Sequence, residues 1–333
     1  MIRVWIGIVL WIVTCSSDVF AAKEEIRPLV LFQGEVAEGS FLQMVEKGVI
    51  EFENVTSIPV VQKRLPRGDE LYLKELENSA KEGFSPIIVQ DSNSLPLFAN
   101  IAKAYPATKF ISLDVAYDVP NILALTFNHA EGAYVIGFIA GLKTKTNRVG
   151  FIGGIDIPVI NNFRCGYELG LQQANADITL VSRYINKGTF SWDDLESAQS
   201  LSEEMINEGV DVIFPVSGMA SKAAMDTMKK AGPHYYSFGI DSNSNADYPE
   251  TLLASFEKRS DKAIFAALML LKNGIWNSTE KHFGIKQGII EITANPQNSE
   301  LTASDREKIN ELVTRLKGKN NTISREILTH CKV

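Results

Sequence analysis

Cysteine and histidine are both scarce in this sequence, with three of one and four of the other in 333 residues. No two of His129, His234, His282 and His330 stand at zinc-ligand spacing, and His330-Cys331 sits in a terminal tail, so no metal site is expected. Basic blocks are missing too. The formal net charge is −7 with lysine and arginine dispersed, which argues against nucleic acid as a partner. There is no Gly-x-Ser-x-Gly elbow and no P-loop. Gly150, Gly153 and Gly154 lack the Gly-x-Gly-x-x-Gly spacing of a dinucleotide-binding turn. Enzymes that depend on those devices are excluded, and no cofactor is expected. Past the N-terminus no run of about 18 apolar residues occurs, so nothing there reads as a membrane span.

The one long apolar run, Val4 to Val13, follows Arg3, and Val19-Phe20-Ala21 then offers small residues at the −3 and −1 positions of a cleavage site. Residues 1–21 read as a secretory signal peptide, which places the mature chain in the periplasm. Cys15 at the end of the run offers the alternative of a lipid anchor, although Thr14 fits such a signal poorly. With cleavage after Ala21, only Cys165 and Cys331 remain. Two cysteines so far apart make no disulfide framework, and the expectation is two unpaired thiols.

What the chain does contain is a long-period repeat. The apolar run 28–33 reads as a strand, followed by a loop from Gly34 to Gly39 and a helix from about Ser40 to Asn54. A strand at 58–62, a helix at about 70–82 and a strand at 87–90 come next. The loop 91–93, a helix to about Ala104 and a strand at 110–113 close the half at Asp114. The second half repeats that order. A strand at 149–152 and a Gly- and Pro-containing loop lead to a helix opening at Asn162 and Phe163. Strands at 178–184, 210–214 and 236–240 alternate with helices over 195–208 and up to Ala231, and the half closes at Asp241. Val30 and Phe41 are eleven positions apart, as are Ile152 and Phe163. Near-continuous apolar strands alternating with helices imply parallel sheets covered on both faces. A period of roughly 120 residues implies two similar α/β lobes, not a solenoid. One large doubly wound sheet is the competing architecture. From about Asn245 the pattern changes to a helix (about 259–274), a strand (288–293) and a polar helix (about 303–318). Such a tail can pass between lobes and form a hinge of several strands. The expected division is 22–126 with about 247–280 in one lobe, and 127–246 with about 281–333 in the other.

Ligands in open α/β sheets bind beyond the carboxyl ends of the strands, so the loops 34–39, 91–93, 153–162, 216–220 and the acids at 114 and 241 face any cleft between the lobes. Over nearly all of the mature chain these segments resemble the basic membrane protein family, the purine-nucleoside-receptor-like substrate-binding proteins of ABC importers. The resemblance is carried by Gly-Ser-Phe-Leu-Gln at 39–43, Ala-Tyr-Pro-Ala-Thr-Lys-Phe at 104–110 and Ala-Glu-Gly-Ala-Tyr-Val-Ile-Gly at 130–137. It is strongest in Val-Gly-Phe-Ile-Gly-Gly-Ile-Asp-Ile-Pro-Val-Ile-Asn-Asn-Phe at 149–163, Gly-Ile-Asp-Ser at 239–242 and Ala-Ser-Phe-Glu-Lys-Arg-Ser-Asp at 254–261. It implies a type I periplasmic-binding-protein fold, two Rossmann-like lobes with a multi-strand hinge and a nucleoside in the cleft, and an ABC permease as partner.

By the same resemblance Phe41 is an aromatic that stacks on a base, Asp241 accepts from ribose hydroxyls, and Lys258 contacts the sugar. Trp192, nineteen positions before Asp211, is the second stacking ring, with Phe190 as the alternative. Gly218 lets the backbone approach the ligand. Two positions depart from the family: Phe32 stands where an acid is usual, and Leu42 where Asn is common. A phenyl ring cannot pair with the polar edge of a purine, so Glu35, Glu38 or Asp91 is expected to take over, or the ligand to differ. The rival readings are an exported α/β enzyme acting on nucleosides and a ligand-sensing surface protein of the same fold.

Overall fold

The computed structural model describes residues 26–90, 95–318 and 321–331. The segment 1–21 read as a signal peptide, with Cys15, and Asp91 lie outside them. The first sheet contains β1 (Leu29–Gln33), β2 (Val61–Leu65), β3 (Ile87–Val89), β4 (Phe110–Leu113) and β5 (Ile122–Phe127), joined by a late strand, β11 (Lys281–Phe283). Its spatial order is β11-β5-β4-β3-β1-β2, parallel throughout. The second sheet contains β6 (Arg148–Gly153), β7 (Thr179–Tyr184), β8 (Val212–Val216), β9 (Tyr236–Gly239) and β10 (Leu252–Lys258), with β12 (Ile290–Ala294) at its edge. Its order, β12-β10-β9-β8-β6-β7, matches the first sheet strand for strand. The one difference is that β12 runs antiparallel to β10. The repeat read from the sequence is therefore two lobes of the same topology. Each has its order reversal, between β1 and β3 and between β6 and β8, where a parallel sheet opens a crevice.

Two strand and helix boundaries differ from expectation for identifiable reasons. β2 begins at Val61, not 58; it is an edge strand with no fully buried residue, and the chain before it is taken up by Ser57, which caps α1 (Phe41–Thr56) in a left-handed conformation. Glu53 on that helix accepts from the Val60 N–H at 2.7 Å. The helix α5 (Pro158–Ala174) starts four residues before Asn162, since Pro158 occupies its first turn, where a missing N–H and a fixed φ suit a helix start.

The longest unread stretch, 115–147, holds β5 and α4 (His129–Lys143). This helix has almost no amphipathic period because it is buried on all sides, with 11 of its residues inside. It packs on the second sheet and against α5 through glycines. A Cβ on Gly137 would overlap the Tyr167 carbonyl, and one on Gly166 or Gly170 would overlap the carbonyls of Ala130 or Tyr134. The two backbones therefore touch.

The tail alternates between the lobes and does not divide at 280. β10 joins the second sheet, α8 (Ser260–Lys272) packs on α1 of the first lobe, β11 joins the first sheet, and β12 returns to the second. With the passage from β5 to α4, the chain crosses at 127–129, at 258–260 and at 283–290. The crossings are bonded to one another. Asn128 N–H donates to the Phe283 carbonyl at 2.7 Å and Arg259 N–H to that of Ile289 at 2.8 Å.

The cysteine expectation is corrected: Cys165 and Cys331 form a disulfide. They are 166 residues apart in sequence. However, α5 and α10 (Thr322–Cys331) both pack on α4, which brings their Cα atoms to 5.7 Å. Nothing in the local sequence of a polar tail signals that docking, which buries Ile327 and seats Ser324 on the buried Glu131 at 2.6 Å. Among the described residues no helix is long and apolar enough to cross a membrane.

Candidate functional site

The carboxyl ends of the two sheets face each other across a cavity of about 140 Å³. Its lining joins an apolar majority to a substantial minority of polar and charged side chains, a composition compatible with a small-molecule site. From the first lobe, Ser40 caps α1 by accepting from the Gln43 N–H at 3.2 Å, while the Gln43 side chain accepts from the Gly39 N–H at 2.9 Å. This reciprocal cap fixes the first turn of α1 and points Phe41 and Leu42 into the cavity.

From the second lobe comes Trp192, at the end of a short 3-10 turn over 188–192. Glycines seat its ring. A Cβ on Gly154 would collide with it, and one on Gly218, at φ +63°, would press within 3.3 Å of its Cβ. Gly218 thus serves the placement of Trp192 as well as lining the cavity. Phe190 is 62 % exposed and lines nothing here, so of the two aromatics considered only Trp192 reaches the cavity.

The floor holds three charged groups. Asp114 follows β4 and Asp241 follows β9, the same place in the two sheets, and both take left-handed backbone angles, φ 71° and 65°. Lys258, at the end of β10, is 4 % exposed and donates to Asp114 Oδ1 at 2.5 Å. Its Nζ lies 4.2 Å from the Phe41 ring centroid and 4.5 Å from that of Phe127, a cation held between two aromatic faces. His129 is 2 % exposed, stacks on Phe163 at 4.4 Å, and brings Nε2 to 3.3 Å from the same Asp114 oxygen.

These contacts divide the two acids. Burial alone would push Asp114 up, but the charge of Lys258 and the adjacent His129 hold it well below the usual carboxylate range. Asp241 is pushed up to about 6, mainly by burial and then by the Asp114 charge, with Lys258 and the Phe41 backbone N–H pulling the other way. His129 is pushed down to about 4 by burial and by Lys258, with Asp114 opposing. Asp114 is committed to the lysine, whereas Asp241 has spare acceptor capacity facing the cavity.

Of the residues singled out from the sequence, the structure brings Phe41, Trp192, Gly218, Asp241 and Lys258 to one cavity. Phe32 is not there. It is fully buried in the core behind β1, and Gln33, which points to the other side of the strand, lines the cavity together with Glu35. The phenyl ring therefore takes no polar group away from the cavity. Leu42 does line it; Glu38 does not, and faces the groove outside. Sequence reasoning missed His129, whose neighbours come from three separate elements. It also missed the role of Arg67, which donates Nε and Nη2 to the two carboxylate oxygens of Asp193 at 2.7 and 2.9 Å.

Residues 27–323 match the model of a family described as ABC transporter substrate-binding protein, PnrA-like. Basic membrane protein A of Borreliella burgdorferi is 28 % identical over 294 residues, covering 85 % of this chain and 84 % of that one. Basic membrane protein A1 of Borrelia garinii subsp. bavariensis is 27 % identical over 290 residues, covering 85 % and 84 %. Among solved structures, an ABC transporter solute-binding protein from Aeropyrum pernix superposes with a TM-score of 0.78 at 22 % identity, over 92 % of this chain and 98 % of that one. A periplasmic solute-binding protein from Actinobacillus succinogenes, solved with bound D-allose, gives 0.67 at 16 % identity, over 82 % and 99 %. The fold is that of the type I periplasmic binding proteins.

Proposed function

The chain belongs to the family of PnrA-like ABC transporter substrate-binding proteins, and from that premise we propose that it is exported, captures a purine nucleoside between its lobes and delivers it to a permease. One observation carries the ligand class: Phe41 of one lobe and Trp192 of the other line a single cavity, with Asp241 and Lys258 beside them. Two rings on opposite walls suit a flat base, each stack contributing about 1–3 kcal/mol. A carboxylate with free lone pairs suits two adjacent sugar hydroxyls. The lining offers hydrogen bonds, stacking and charge, and the role is binding without chemistry. Ligand capture would favour the closed arrangement of the lobes, which the permease would recognise.

Export is supported by the leader-like N-terminus and by the disulfide, which persists in oxidising compartments. Thermal unfolding of the mature chain with purine and pyrimidine nucleosides, free bases, sugars and amino acids tests the ligand class. A ligand at 100 times its dissociation constant stabilises by about 2.7 kcal/mol, a shift of several degrees or less in a chain of this size. A response to purine nucleosides supports the reading, and a response confined to another class overturns it.

A further inference from the structure

The sheet orders place β2 and β7 at the edges farthest from the crossings, so the loops that follow these two strands meet at the end of the cleft remote from the hinge. Arg67 lies in the first of those loops, between β2 and α2 (Asp69–Lys81), and Asp193 in the second, directly after Trp192. Their fork-to-fork contact uses both carboxylate oxygens, a geometry more directional than a single-point ion pair. Arg67 is 13 % exposed and Asp193 38 %. The guanidinium rests on Gly34, where a Cβ would come within 2.8 Å of it, so the glycine keeps its berth open. On the other side, the Asp193 N–H donates to the Phe190 carbonyl at 3.2 Å, tying the acid to the turn that carries Trp192. A smaller contact accompanies the fork nearer the floor: Ser242 Oγ donates to the Gly39 carbonyl across the lobes at 2.8 Å.

We propose that Arg67 and Asp193 form a positioning pair that clasps the lobes at the end remote from the hinge, seats Trp192 over the cavity in the absence of ligand, and slows ligand escape. The ligand-escape part rests on the proposed nucleoside reading; the seating of Trp192 does not. Any opening about the crossings separates residues at the far edge most, so this contact is lost early. Because Asp193 adjoins Trp192, losing it also frees the ring. Other ion pairs near Arg67, such as Arg64–Glu46 and Lys63–Glu75, stay within the first lobe. Lys258–Asp114 does link the lobes, but beside the crossing at 258–260, where opening moves it little.

With residues 1–21 removed and Trp276→Phe introduced, Trp192 is the single tryptophan. Acrylamide quenching of the ligand-free protein then reports how well its ring is covered. Arg67→Ala and Asp193→Asn should each increase quenching, the double variant should add little, and Arg67→Lys, which keeps the charge without the fork, should fall between. High salt should raise quenching in the parent and leave Arg67→Ala unchanged. Small-angle scattering on the chain retaining Trp276 gives a second readout, with a larger radius for Arg67→Ala. With guanosine, inosine and adenosine as probes, dissociation should quicken about tenfold in Arg67→Ala. Unchanged quenching and radius in the ligand-free variants would overturn the proposal, whatever happens to thermal stability. Silence of the parent protein toward all three nucleosides would overturn the nucleoside reading while the quenching result still decides the clasp.

Discussion

Replacing Asp241 by Asn should change how stability depends on pH, and the size of the change follows from its surroundings. In the native protein burial and the neighbouring Asp114 raise its carboxyl to about 6, from an ordinary value of 3.8. Between those values the native state binds a proton that the unfolded chain does not. By linkage, unfolding free energy from this group rises as pH falls through 6 and is fully present below 3.8. Going from pH 7 to pH 4, the parent should gain about 2 kcal/mol relative to Asp241→Asn, whose amide does not titrate. His129 pulls the other way. Its native value of about 4 lies below its ordinary 6.5, so the unfolded chain takes up its proton first and stability is lost as pH falls between them. His129 is shared by parent and variant, and Asp241 is not among the charges that shift it, so the difference between the two proteins isolates Asp241. Urea unfolding of both proteins at half-unit steps from pH 4 to pH 7 measures that difference. A gap that stays constant, or that moves in favour of the variant on acidification, would refute the assignment of Asp241 as an acid whose carboxyl is pushed up by its surroundings.

Other outcomes follow from the same geometry. Phe41→Ala and Trp192→Ala should each weaken nucleoside affinity by about 5- to 150-fold, at about 1–3 kcal/mol per stack, whereas Phe190→Ala should leave it unchanged; titration calorimetry separates the three. Gly137→Ala forces a Cβ into the Tyr167 carbonyl where α4 meets α5, and should lower unfolding free energy by about 3 kcal/mol in a denaturant series. Cys331→Ser should remove about 2–4 kcal/mol, and dithiothreitol should bring the parent to the same midpoint while leaving the variant unmoved.

The duplicated architecture was legible because most interior strands are apolar runs and most helices have one apolar face, so period and order survive without knowledge of packing. Phe41 could be found for a related reason: Ser40 and Gln43 write a helix start into the local sequence, and the first residue of that helix faces the strand ends. Asp114 had a signal too, since the repeat pairs it with Asp241, but its engagement with a lysine 144 residues away is a matter of sheet order. What stayed hidden has a common cause. α4 lacks a polar face because protein covers every side of it, β2 lacks an apolar run because it is an edge, and the fate of Cys331 depends on where a polar helix docks. Arg67 reads as an ordinary loop arginine until Gly34 and Asp193 are seen around it.

A cleft between two copies of one fold has no inherent direction, because a ligand turned end for end would meet equivalent strand ends and, in Asp114 and Asp241, equivalent acids. Lys258 removes that ambiguity. By neutralising one acid and leaving the other, a single ammonium gives the cavity a donor-seeking pole and a spent pole. A ligand with hydroxyls at one end and a flat ring at the other is then expected to turn its hydroxyls toward Asp241.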